Sequence, residues 1–98
     1  MARTLTVSRV RVRPGGEPEY LAAVHALAAL AESHGWHLWV FRSTGDPQLF
    51  LECSESPSAE SHRALAERPA DEQHLEERIR DVAAYQAGAW DLWEEVRS

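Results

Sequence analysis

Lysine is absent from this chain of 98 residues, and every basic residue is an arginine. That excludes Schiff-base chemistry and any lysine nucleophile. Cysteine is almost absent as well: Cys53 stands alone, no internal disulfide can form, and nothing in the composition points to an oxidising compartment. No apolar run is long enough to span a bilayer, and the segment from Met1 to Thr6 lacks the apolar core of a secretory signal. A cytoplasmic protein with no membrane partner is the expectation. The sequence holds no glycine-rich phosphate loop, no nucleophile elbow and no paired catalytic carboxylates, so nucleotide hydrolysis and serine-hydrolase chemistry have no support. A basic excess is missing too. The formal net charge of -6 argues against nucleic acid as a partner, although Arg9, Arg11 and Arg13 would share one face of a strand and make a local positive stripe.

What is present describes an ordinary globular chain, 44% hydrophobic and 27% charged, of a size that suits one domain spanning residues 1–98. Residues 5–13 alternate apolar and polar side chains and stop at Pro14-Gly15-Gly16, which reads as a strand ending in a turn. The apolar positions change phase, with Leu5 and Val7 on one face and Val10 and Val12 on the other, implying a bulge or burial on both sides. Pro18 between two acids opens a helix that Gly35 should stop, with Tyr20, Leu21, Val24, Leu27, Ala28 and Ala31 forming its apolar stripe.

A β-hairpin follows, from Trp36 to Arg42, through Ser43 to Pro47, and back along Gln48 to Cys53. In its first strand Trp36, Leu38 and Val40 point one way and His37, Trp39 and Phe41 the other, so neither face suits open water. Ser56-Pro57-Ser58-Ala59-Glu60 has the form of a helix start, and a short helix to about Arg68 is expected. Beyond Pro69, the spacing of Leu75, Ile79, Val82, Ala83 and Gln86 predicts a longer helix. The tail from Ala89 to Val96 fits both a helix and an edge strand, and helix is the expected state.

The resulting α+β order is β-α-β-β-α with an antiparallel sheet and an additional C-terminal helix, or edge strand. Because both faces of the sheet carry apolar residues, a second copy of the chain is expected to cover the open one, making the protein its own partner in a homodimer. At this point the residues resemble the dimeric α/β-barrel, ferredoxin-like superfamily that includes antibiotic-biosynthesis monooxygenase-like domains. The resemblance rests on Arg13-Pro14-Gly15 after the first strand, Phe41-Arg42-Ser43 leading to Gly45-Asp46-Pro47, and Phe50-Leu51-Glu52 entering Ser56-Pro57-Ser58-Ala59. It implies a dimeric barrel. Members that oxidise hydroxyaromatics or degrade haem tend to carry a tryptophan after strand three and a histidine in the next helix; here Ser54 and Arg63 hold those places, with His62 beside the latter. The resemblance therefore transfers only His62 as a catalytic candidate.

The residues themselves offer three more groups. His25, His34, His37, His62 and His74 show no metal-ligand spacing, so neither a metal nor another cofactor is expected. Trp36, Trp39, Phe41, Phe50 and Tyr85, with Trp90 and Trp93, could line a pocket for a small aromatic ligand, or could serve core and dimer contacts. Glu52 would act as a proton acceptor if its carboxylate were enclosed, which would raise its pKa, but an exposed edge position is the expectation. His37 shares a face with Trp39, giving a base beside an aromatic wall, and Cys53 reads as packing. Three functions remain open: a homodimer binding a small aromatic or polyketide-like ligand, a cofactor-independent monooxygenase or cyclase using His37, His62 or Glu52, and a structural or regulatory dimer with a filled interior.

Overall fold

The computed structural model of the protein describes residues 3–57 and 69–96. Strand β1 (Thr4–Val12) is followed by helix α1 (Glu17–Ser33), the hairpin of β2 (His37–Arg42) and β3 (Leu49–Ser56), helix α2 (Ala70–Val82), and the short strands β4 (Ala83–Tyr85) and β5 (Trp93–Glu94). The strands form one antiparallel sheet in the order β2-β3-β1-β4, with β5 also pairing to β1. Antiparallel neighbours and helices returning across one face make this the expected α+β, ferredoxin-like arrangement.

Helix α1 begins with Pro18 and two acids in its first turn, where the free N–H groups favour negative charge and tolerate a missing donor. It ends because Gly35 adopts φ 86°, a left-handed conformation costly for any residue with a Cβ. Tyr20, Ala23, Val24, Leu27 and Ala31 of α1 pack with Leu75, Ile79 and Val82 of α2 against Val10, Val12, Leu38 and Phe50 of the sheet. The small alanines let α1 lie close to the strands.

The ends of the two helices are tied by His34, which follows α1, and Glu72, in the first turn of α2, through a hydrogen bond between His34 Nδ1 and Glu72 Oε2. Glu72 is fully buried, and its other oxygen has no hydrogen-bond partner among the described residues. The bond to Glu72 raises the pKa of His34 above its ordinary 6.5, helped by the charges of Glu72 and Asp71 and opposed by desolvation. A raised folded-state value means that this contribution to stability is complete below the unfolded value and fades as pH rises through the folded one. Melting temperatures of the parent and His34→Ala chains should therefore converge on the alkaline side of His34's folded pKa and separate below pH 6.5. Parallel profiles would remove His34 from the account.

No bulge accompanies the phase change in β1: the pairing with β3 runs unbroken from Thr4 opposite Ser56 to Arg11 opposite Leu49. Instead, each face changes chemistry part-way along. Toward the helices, Thr4, Thr6 and Ser8 give way to Val10 and Val12; on the open side, Leu5 and Val7 give way to Arg9 and Arg11.

Two further expectations are corrected. Ser56 is the last residue of β3, paired with Thr4, and the short helix expected to start there and reach Arg68 lies outside the described residues after Pro57. Helix α2 stops at Val82, so Ala83 joins β4 and Gln86 lies beyond it, donating its N–H to Arg9 O at 2.9 Å. The tail is not a helix. It runs antiparallel beside β1, loops out between β4 and β5, and rejoins where Trp93 pairs with Leu5. Hydrogen bonding to an otherwise unpaired edge of β1 decides this, because a helical tail would leave that edge open. Gly88, at φ 80°, turns the loop, and Ser8 Oγ donates to Ala89 O at 2.6 Å to hold it down.

Candidate functional site

Glu52 lies midway along β3, opposite Ser8 of β1 and Val40 of β2, and points to the helix side. It is 6% exposed, which corrects the expectation of an open edge position. Tyr20 of α1 donates its phenolic O–H to Oε2 at 2.7 Å, and the partly buried Tyr85 of β4 donates to Oε1 at 2.8 Å, so each carboxylate oxygen has its own phenol donor. Burial first, and then the Glu52 charge, push both phenols upward from their ordinary range; both stay protonated donors. Glu76 adds to the rise at Tyr85, against Arg80.

Around this group Ser8, Leu27, Trp36, Leu38, Ser54, Glu76 and Trp90 close a cavity of about 10 Å³. That is room for about one water molecule. Trp90, 57% exposed, rests its ring 4.9 Å from that of Tyr85 and forms the outer wall, on the loop between β4 and β5. Carboxylate acceptors among aromatic rings, Glu52 at the base and Glu76 in the wall, with phenol and hydroxyl donors beside them, can orient a flat molecule bearing a hydroxyl and can take its proton.

Three of the aromatic residues singled out from sequence, Trp36, Phe50 and Tyr85, are on this side of the sheet; Phe50 packs against Tyr20 at 4.9 Å rather than lining the Glu52 cavity. Trp39 and Phe41 are on the opposite side. So is His37, which stacks on Trp39 at 5.8 Å, and the sheet therefore separates it from Glu52. The two cannot act on one substrate within a single chain. His62 lies outside the described residues. Cys53, on the open face opposite Trp39 and Val7, has a thiol pushed up by burial, which disfavours the reactive thiolate. Sequence reasoning missed Tyr20, Ser8 and Glu76 as site residues. Tyr20 fitted the apolar stripe of α1, and only its phenol at the sheet-facing end of that stripe hinted at a buried acceptor.

The fold superposes on SnoaB, a cofactor-independent oxygenase from Streptomyces nogalater, with a TM-score of 0.82 and 14% identity, covering 100% of this chain and 97% of that one. A candidate antibiotic biosynthesis monooxygenase from Bordetella bronchiseptica gives a TM-score of 0.75 at 20% identity, covering 100% and 99%. The chain has the antibiotic-biosynthesis-monooxygenase-like fold. A conserved protein from Bacteroides thetaiotaomicron shares this monooxygenase-like fold, with a TM-score of 0.77, 20% identity and 96% of each chain covered. No protein-family model and no curated protein matches the sequence. Where the resemblance leads one to expect a tryptophan, Ser54 lines the Glu52 cavity, and the aromatic walls come from Trp36 and Trp90.

Proposed function

We propose that the protein is a homodimer in which each chain binds a small hydroxyaromatic ligand at Glu52. The observation that carries the ligand reading is the buried carboxylate held by Tyr20 and Tyr85 at the base of an aromatic-walled cavity. A hydroxyl on the ligand would donate to Glu52 beside Tyr20 and Tyr85, since the two carboxylate oxygens together can accept more than two hydrogen bonds. Entry requires Trp90 to swing away, since the closed cavity has room for only a water. The Ser8 hydroxyl, which holds Ala89 O to β1, leaves the Trp90 side chain as the part that moves.

The dimer reading rests on the open face of the sheet, where Val7, Trp39, Phe41 and Trp93 are 36%, 45%, 56% and 59% exposed. Exposed apolar side chains grouped on one sheet face in this way are costly in water, and two copies can bury them against each other. Light scattering of the purified protein should give a mass near twice 11.0 kDa; a clean monomer would remove the homodimer.

Ligand binding is tested by titrating naphthol while following tryptophan emission, because Trp36 and Trp90 line the cavity. Saturable quenching in the parent chain and its loss in Glu52→Gln is the expected result. Quenching that survives Glu52→Gln places the ligand elsewhere. A second reading, a cofactor-independent oxygenase, is favoured by the same carboxylate: a base that removes a phenolic proton makes the ring electron-rich, the condition for direct reaction with dioxygen. Oxygen uptake with a bound hydroxyaromatic separates the two readings.

A further inference from the structure

The charged side chains lining the cavity beneath Trp90 are both acidic, Glu52 of β3 and Glu76 of α2. Among the described residues no arginine or histidine lines it, and the remaining walls are serine, aliphatic or aromatic. Glu76 lies one turn beyond the buried Glu72 and next to Leu75 of the buried stripe of α2, which leaves it half-buried at the edge of the cavity. Both carboxylates act on one phenol: Glu52 accepts from Tyr85 at 2.8 Å, and Glu76 adds to the upward push on that hydroxyl. Arg80, exposed a further turn along α2, works the other way, but from outside the lining and with less effect than Glu76.

We infer that the hydroxyaromatic ligand of this site carries a cationic amine, with its hydroxyl on Glu52 and its ammonium on Glu76. This rests on the reading of Glu52 as the ligand's anchor and adds to it the charge the ligand must bear. Two carboxylates around one small, largely dry cavity repel each other, and a cation arriving with the ligand offsets that repulsion. An anionic ligand would add a third like charge, so rings bearing a carboxylate or phosphate are rejected. A neutral phenol makes no use of Glu76. The aromatic walls suit the same choice, because the rings of Trp36, Tyr85 and Trp90 attract an ammonium over their faces, tryptophan most strongly. Asp91, exposed next to Trp90, and the net charge of -6 extend the negative field outward, drawing cations toward the mouth and turning anions away. Glu52 thus selects the hydroxyl and Glu76 the amine, and Glu76 is the specificity-determining residue.

The test is calorimetric titration of the full chain at neutral pH with tyramine, para-ethylphenol and phloretate, phenols that end in an ammonium, a methyl group and a carboxylate. Tyramine is expected to bind at least tenfold tighter than para-ethylphenol, by a margin that shrinks as salt is raised, and phloretate more weakly than either. Glu76→Gln should bring the ratio of tyramine to para-ethylphenol affinity close to one. Glu77→Gln removes the same charge from an exposed neighbouring position and should keep most of that ratio. Glu52→Gln should weaken para-ethylphenol itself, and far-UV circular dichroism checks that each variant folds. Equal affinity for tyramine and para-ethylphenol, with both lost in Glu52→Gln, overturns this inference and leaves the Glu52 site standing. A ratio that survives Glu76→Gln, or falls as far in Glu77→Gln, also overturns it, assigning the preference to overall charge. Saturable binding of none of the three, or binding untouched by Glu52→Gln, removes the Glu52 site and the inference with it.

Discussion

Trp39→Glu combined with Phe41→Glu is expected to yield a monomer of 11.0 kDa at concentrations where the parent chain runs at twice that mass. The two rings lie on the open face of β2, 45% and 56% exposed, opposite Cys53 and Leu51, with Trp39 stacked on His37. Covering what remains exposed of two aromatic side chains removes about 200 Å² from water, worth about 5 kcal/mol at 25 cal/mol per Å². Losing that term, with two carboxylates added to a surface that must dehydrate, raises the dissociation constant by about a thousandfold or more. The folded chain itself should survive, because neither residue contributes to the helix-side core. Sedimentation velocity at several concentrations reads the outcome directly. A double variant that stays dimeric would place the interface on another surface.

Glu52→Leu and Glu52→Gln should behave very differently. Leucine removes the acceptor of two phenols, the buried Tyr20 and the partly buried Tyr85, and leaving each donor unsatisfied costs up to about 1–3 kcal/mol. A stability loss of up to about 2–6 kcal/mol in urea unfolding follows. Adding Tyr20→Phe to Glu52→Leu should restore part of it, since the orphaned hydroxyl is then gone, and the double-mutant cycle measures how much. Glutamine keeps an oxygen acceptor and nearly the same shape, so the fold is retained while the charge is lost. Naphthol affinity in Glu52→Gln is expected to fall about tenfold to a hundredfold, the worth of a hydrogen bond to a charged group. If Glu52→Leu proves as stable as the parent, the three-residue cluster does not hold the fold together.

Much of the architecture is legible in the residues. Alternation in β1, the stripe from Tyr20 to Ala31, the Pro18 and Gly35 boundaries and the aromatic hairpin each follow from local stereochemistry that tertiary contacts only reinforce. The candidate site is less legible. Glu52 alternates with Leu51 and Cys53 in a strand whose two faces look equally mixed, so nothing local marks it as enclosed. Tyr85 sits just past α2 in a segment that keeps helical spacing, and its strand conformation brings the phenol across to Glu52. His37 looked as promising as Glu52 because a base beside a tryptophan is the same local pattern on either face.

By itself the sequence determined which residues share a face and where α1 begins and ends, because strand period, proline and glycine act within a few residues. Only the tertiary structure decided which face the helices cover. That choice buries Glu52 with Tyr20 and Tyr85, and leaves Trp39, Phe41 and His37 outside. Tertiary pairing also decided the tail, where residues 89–96 fit both periods. The free edge of β1 offered backbone partners at Arg3, Leu5 and Arg9 that a helix would have left unpaired, and a hydrogen-bonding edge outweighs a weak local preference.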